Sequence, residues 1–327
     1  MTATDHIAVV VSTFNRYDCL DDALQALLRQ DYANYEIIVV DNSPDQNAAR
    51  NYGERYAGSD RITYRLEPVA GLSRARNIGV SNSSGSIIAF IDDDAIAEPN
   101  WVSEIAAAFT SFPNAGVAGG RIFPRWSSEP PVWLTPKLYD YLSLVDLGDE
   151  MREVAPGEYL AGCNIAFLRS ALSAVGGFAE NLGRKGGSTT LLSSEETELT
   201  ERIRRAGQSV IYNPRAAVHH IIDPARLSEE WFCKRVAWQA VSDFMADSEA
   251  MQRYAPKAAK RAMRGLKQAT LPGDGTVDER LQLVYNLIIA SLGGEMTFSK
   301  AKMRSHSRLA RLQTAIKKLP GKLVRTR

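Results

Sequence analysis

Five apolar residues, Ile87-Ile88-Ala89-Phe90-Ile91, run straight into three carboxylates, Asp92-Asp93-Asp94, and no other stretch limits the fold so tightly. A short β-branched and aromatic run without polar alternation is the pattern of a strand buried on both faces. Open parallel sheets place their ligand crevice at the carboxyl ends of the strands, so the acids are expected at a cleft. Two carboxylates one residue apart suit a hard divalent cation, which would in turn hold substrate phosphates. The competing reading is a solvated turn, where Asp is common. Against it, adjacent like charges repel one another and call for a cation or hydrogen-bond donor nearby.

Further strands are expected over residues 6–12, 35–40 and 62–66, with helices over 18–30, 48–56 and 71–80. Strand alternating with helix is the pattern of a parallel sheet with crossover helices. A helix over 99–112 and a strand over 116–123 continue it, and then prolines at 124, 130, 131, 136 and 156 interrupt it. That segment reads as an ordered insertion over a cleft or as a mobile loop. A strand resumes over 158–168, followed by a short helix at 171–175, a glycine-rich loop at 183–190, a helix at 194–206 and strands at 210–213 and 216–222. Beyond 227 the chain reads as helical, apart from a turn at 272–276.

At 327 residues, 45% hydrophobic and 24% charged, the chain has apolar mass for one large or two modest domains. Cys19, Cys163 and Cys233 have neither disulfide nor metal spacing and read as reduced thiols in a cytoplasmic setting. The first apolar run, residues 7–11 behind Asp5, reads as a strand and no signal peptide. No run is long enough to span a membrane.

The net charge of +1 hides an asymmetry: residues 300–327 carry ten Lys or Arg and no acid, against 29 basic and 38 acidic groups before them. Leu309, Leu312, Ile316 and Leu319 recur at helical spacing among Arg308, Arg311, Lys317 and Lys318. A basic amphipathic helix of this kind docks on an anionic membrane or packs on the protein body. Nucleic acid is disfavoured, because the body is acidic and no aromatics interleave the basic groups.

Residues 13–16, Asp41, the 71–77 turn and Asp92–Asp94 all follow expected strands, so a parallel sheet brings them to one edge. In Gly71-Leu72-Ser73-Arg74-Ala75-Arg76-Asn77 a helix start would turn free N–H groups outward, and Arg74 and Arg76 add charge suited to a diphosphate. A plain capped helix with solvated arginines accounts for the same residues. Ser194 is placed to cap a helix, with Glu198–Arg202 and Glu201–Arg205 pairs on a solvated face. Glu196 shares a face with Leu199 and Ile203, which turns it inward and makes it a candidate general base. Side chains alternate along a strand, so only one of His219 and His220 can face a metal.

Taken in order, these pieces resemble the inverting family 2 glycosyltransferases of the GT-A fold. The resemblance rests on Val10-Val11-Ser12-Thr13-Phe14-Asn15-Arg16, Ile38-Val39-Val40-Asp41-Asn42-Ser43, the stretch from Gly71 to Gly79, and Phe90-Ile91-Asp92-Asp93-Asp94 with Pro99 and Trp101. Gly162-Cys163-Asn164 and Ser194-Glu195-Glu196-Thr197-Glu198-Leu199 complete it, across roughly residues 6–245. It implies a Rossmann-like, mostly parallel sheet flanked by helices, a catalytic domain over 1–228 and a helical C-terminal region over 229–327.

The resemblance also implies roles. Thr13, Asn15 and Asp41 would contact the nucleotide of a UDP-sugar, Asp41 reading the uracil edge. Arg76, with Arg74 in its loop, would approach base and diphosphate. Asp92 would lie near the ribose, Asp93 beside it in the donor site, and Asp94 on Mn2+ or Mg2+ together with His220. Glu196 falls where the family places its base, usually an Asp, which leaves open whether Glu195 or Glu196 does the work. Such an enzyme would move a sugar, with inversion, to a glycan or lipid-linked acceptor in surface polysaccharide synthesis. It would work in the cytoplasm or at the inner face of a membrane, with residues 183–190 as a lid. A catalytically silent nucleotide-sugar-binding scaffold is the alternative. A nucleotidyltransferase or a dehydrogenase would need a glycine-rich loop after the first strand, and Thr13-Phe14-Asn15-Arg16 is not one.

Overall fold

The computed structural model describes residues 5–186, 190–268 and 276–294. Strands β1 (Ile7–Thr13), β2 (Tyr35–Asp41), β3 (Ile62–Leu66) and β4 (Ile87–Asp92) are parallel, in the spatial order β3-β2-β1-β4. Ile7 to Val11 and Ile87 to Ile91 are buried throughout, as expected of strands covered on both faces. Helices α1 (Tyr17–Leu27), α2 (Gln46–Gly53) and α3 (Leu72–Ser81) make the crossovers. A Cβ at Gly79 would lie 2.3 Å from Val10, so α3 sits directly on β1. The register matters most at the strand ends: Thr13 stands opposite Asp41, and Ser12 opposite Asp92.

The second half of the sheet is mixed. After β5 (Ala95–Ala97), helix α4 (Trp101–Ser111) leads to β6 (Ala115–Trp126). Then β7 (Arg152–Glu153), β8 (Asn164–Leu168) and β9 (Ser209–Ile222) complete the order β3-β2-β1-β4-β8-β6-β9-β5, with β7 on β9. The expectation of a mostly parallel sheet therefore describes its first half. Strand β8 is reached through the proline-rich segment instead of a crossover helix, and it enters antiparallel between β4 and β6.

Two strands expected at 210–213 and 216–222 are one. Its register against β6 shifts between Gly120 and Ile122, which absorbs Pro214 and its missing N–H. Strand β5, too short to show alternation in the sequence, pairs Ala95 with His220. Between β8 and β9 lie α5 (Arg169–Val175) and α6 (Glu195–Arg205).

The chain divides into two compact units, Met1–Arg226 and Leu227–Arg327. The second is built from α7 (Glu229–Ala246), α8 (Ser248–Gln268) and α9 (Val277–Leu292). A capping box between Thr276 and Glu279 starts α9. Among the described residues no helix is long and apolar enough to cross a membrane. The amphipathic pattern at Leu309–Leu319 lies outside the described residues.

Candidate active site

Strand β4 ends at Asp92, and the turn that follows sends its three carboxylates in different directions. Asp93 folds back under β1, where Thr13 Oγ1 donates to it at 2.7 Å and Arg16 lies 3.1 Å away. Asp94 swings toward β9 and meets three basic groups: Arg16 at 2.6 Å, Arg226 at 3.3 Å and His220 Nε2 at 3.4 Å. Burial opposes the charge on Asp94, but His220, Arg16 and Arg226 outweigh it and hold the carboxyl well below the usual range. Burial pushes Asp93 the other way, to about 7, with Arg16 opposing and Asp94 adding to the rise.

His220 is buried, and its Nδ1–H donates to the carbonyl of Leu142 at 2.9 Å. That bond orients the ring and turns Nε2 toward Asp94, the orientation a metal-ligating imidazole needs. Arg226 Nη1 now donates to the same Nε2 at 3.3 Å. His219 points to the opposite face, 2.6 Å from Glu98 and stacked on Phe123. One carboxylate and one imidazole suit Mn2+ or Mg2+ held mainly by diphosphate oxygens. Among the described residues no group of three or more such side chains encloses a metal by itself. Asp92 lies apart from this pair, against Arg76.

Asp92 instead meets Arg76. This arginine, expected at the diphosphate, is only 2% exposed. It lies 2.9 Å from Glu195 and 3.2 Å from Asp92, donates to the carbonyl of Gly162 at 3.2 Å, and faces the rings of Phe90 and Phe178. Arg74 also turns from the strand ends, toward Glu67 at 3.1 Å and Glu180 at 3.6 Å. The N–H of Leu72 donates to the carbonyl of Arg184, and Ser73 Oγ to that of Leu182, both at 2.8 Å.

Ser194, expected to cap α6, has a left-handed backbone at φ +71° and makes no side-chain cap. Glu195 is buried, with one oxygen on Arg76. Glu196 is half-buried; the N–H of Gly162 donates to its Oε1 at 3.3 Å, and its buried Oε2 has no hydrogen-bond partner. Burial raises the Glu196 carboxyl to about 7, the charge of Glu195 adding to the rise and Arg76 opposing it. Leu199 and Ile203, on the same face, are fully buried. Glu198 pairs with Arg202 at 2.8 Å as expected, and Glu201 reaches Arg204 at 3.1 Å.

Asp41 is fully buried beneath the other end of the cleft edge. Ser43 N–H donates to one of its oxygens at 2.9 Å, and the hydroxyls of Tyr17 (3.0 Å) and Tyr64 to the other. A carboxylate has about four acceptor sites, and these three donors fill most of them. Asn15, exposed and left-handed at φ +54°, donates its backbone N–H to Ser43 Oγ at 2.8 Å.

The family model for glycosyl transferase family 2 matches residues 8–176, β1 through α5. The chain belongs to glycosyl transferase family 2. This glycosyltransferase is 29% identical over 246 residues to the glucosyl-dolichyl phosphate glucuronosyltransferase of Haloferax volcanii, covering 74% of this chain and 77% of the relative. It is 29% identical over 250 residues to the succinoglycan biosynthesis protein ExoM of Rhizobium meliloti, covering 71% and 72%. Its fold is similar to the mannosyltransferase PcManGT of Pyrobaculum calidifontis, solved in complex with GDP-Man and Mn2+. There the TM-score is 0.54 at 17% identity, over 96% of this chain and 80% of that one. The GT-A fold and glycosyltransferase activity follow, and the relatives' names place such enzymes in glycan synthesis.

Sequence reasoning missed three groups in this glycosyltransferase. Arg16 was read only as part of a motif, although a cation beside three predicted carboxylates is a readable signal. Tyr64 comes from mid-strand β3 and carried none. Gly162 stands in the Gly162-Cys163-Asn164 motif, but that its backbone holds both Glu196 and Arg76 leaves no trace in side-chain patterns.

Proposed function

We propose that this enzyme transfers a sugar, with inversion, from a nucleotide-sugar of the UDP class to a hydroxyl of a glycan or lipid-linked acceptor. The observation that carries the reading is Glu196: a carboxylate oxygen with no partner, on a helix whose first residue is tied through Arg76 to the end of β4. Such an oxygen has lone pairs committed to no other donor, as a general base needs, and burial keeps its proton affinity near working pH. Glu195 is already committed to Arg76, so Glu196 is the base of the two.

Asp94 and His220 are the residues that would hold a divalent cation. Bound there, Mn2+ or Mg2+ would offset the charge of the leaving diphosphate. Arg16 and Arg226 bring two further positive charges to the same carboxylate, and both are part-exposed toward solvent. Thr13, Asn15 and Asp41 form the nucleotide side.

The likeness to an enzyme named for glucosyl-dolichyl phosphate supports a lipid-linked acceptor and work at the inner face of a membrane. So does α8, where Arg253, Lys257, Lys260 and Arg264 are all exposed at helical spacing on one face. Calorimetry of UDP, GDP and dTDP, with and without Mn2+, on wild type and Asp94→Ala tests the donor site. Metal-dependent binding of UDP, lost in the variant, is expected; binding of GDP alone would move the donor class, and no binding of any would sink the reading.

A further inference from the structure

Glu195 is a buried carboxylate that the proposed chemistry does not use. Its Oε1 is 2.9 Å from Arg76 and its Oε2 has no hydrogen-bond partner. Arg76 is itself held in place, against the rings of Phe90 and Phe178, Asp92 and the Gly162 carbonyl. The cradle is closed by glycines on two sides: a Cβ at Gly162 would lie 2.7 Å from Arg76 Nη2, and one at Gly183 3.2 Å from Glu195 Cδ. Immediately before Glu195, the left-handed Ser194 turns the chain into α6 without a side-chain cap. Non-glycine residues held in that region mark places where tertiary contacts override local preference. Here the overriding contact is the pair between Glu195 and Arg76, which sets where α6 begins and where Glu196 lies.

The pair also sets the electrostatics. The groups around Glu196 are Glu195 on its own helix, Arg76 from α3 with its partner Asp92 from β4, and the buried thiol of Cys163 before β8. Three carboxylates share one guanidinium, and Glu196 is the one that makes no ion pair with it. Two adjacent carboxylates in a buried site cannot ionise independently.

We propose that Glu195 is a positioning residue: clamped by Arg76, it fixes the start of α6 and holds a second negative charge beside Glu196 that governs when Glu196 releases its proton. The proposal rests on the reading of Glu196 as the base and adds a task for its neighbour. A helix-capping or purely structural Glu195 would leave the titration of Glu196 where it is.

The test is carboxyl 13C NMR of the full chain labelled at glutamate Cδ, with the Glu196 signal assigned from Glu196→Gln. Glu195→Gln is expected to lower the Glu196 midpoint by about one pH unit, whereas Glu195→Asp, which keeps the charge, leaves it within a few tenths. An unchanged midpoint in Glu195→Gln, or an equal shift in Glu195→Asp, would overturn the proposal. Glu195→Met serves as the neutral variant should Gln leave the chain unfolded by circular dichroism. Release of nucleoside diphosphate from UDP-glucose and GDP-mannose by Glu196→Gln separates the two ideas. Undiminished release would sink Glu196 as base whatever the titration gives.

Discussion

His220 Nε2 and Asp94 Oδ2 face each other at 3.4 Å, and the other ring nitrogen, Nδ1, is tied to the carbonyl of Leu142. The two residues lie on different strands, yet Ala95 beside Asp94 pairs with His220 in the β5–β9 ladder, so the sheet register itself sets the separation. Removing the imidazole would remove one of the two side chains proposed to hold the cation. His220→Ala is expected to weaken Mn2+-dependent nucleotide binding about 10–100-fold, the range for a lost ligand or its support. Metal-free binding should change little. Titration calorimetry with Mn2+ and with EDTA checks both.

Glu196→Gln should reduce transfer about 10²–10⁴-fold, the contribution of a positioned general base. In the wild type the rate should fall as pH drops through about 7, where Glu196 takes up its proton. The stability effect has the opposite sense. The folded carboxyl holds its proton more tightly than its ordinary value of 4.5 would allow, so its contribution is fullest below pH 4.5 and is lost as pH rises through about 7. Glu196→Gln keeps an acceptor for the Gly162 N–H and never ionises. Its thermal midpoint should therefore gain on the wild type between pH 5 and pH 8, which differential scanning fluorimetry reads directly.

Arg76→Met would leave Glu195 buried without its cation. Breaking one side of a buried pair costs about 3–5 kcal/mol, so this variant should be among the most destabilised of the α/β unit. Gly162→Ala pushes a methyl group against Arg76 Nη2 at 2.7 Å, and overpacking of this kind costs about 1–3 kcal/mol. Urea unfolding of both variants measures the two losses.

The exposed basic face of α8 predicts binding to anionic vesicles. Reversing Lys257, Lys260 and Arg264 to Glu should lower co-sedimentation with phosphatidylglycerol vesicles and leave zwitterionic ones unaffected. Each basic group near such a surface contributes about 1 kcal/mol, so the triple reversal is expected to lower retention at least tenfold. Equal retention of the variant would sink the membrane reading of this face.

Much of the first half was legible because burial on both faces leaves an uninterrupted apolar run. The strands at Ile7–Thr13, Tyr35–Asp41 and Ile87–Asp92 were readable to within a residue or two for that reason. The alternation of His219 and His220 was legible from strand geometry alone, and the structure places them on opposite faces. Strand β5 was not legible, since three residues carry no period, and the antiparallel entry of β8 follows from a long irregular segment whose path no local pattern encodes.

By itself, then, the sequence determined the family, the parallel half of the sheet and the edge where polar groups gather. These depend on short-range periodicity, on strand ends and on motif order, all of which are local. Only the tertiary structure decided which partner each charge takes. Arg76, readable as a phosphate ligand, is buried against two phenylalanine rings and paired with Glu195, more than a hundred residues away. Asp92 and Asp94, neighbours in the chain, part company at a turn. Charge pairing acts over a few ångströms in space without regard to separation along the chain, and so the choice of partner appears only once the sheet has assembled.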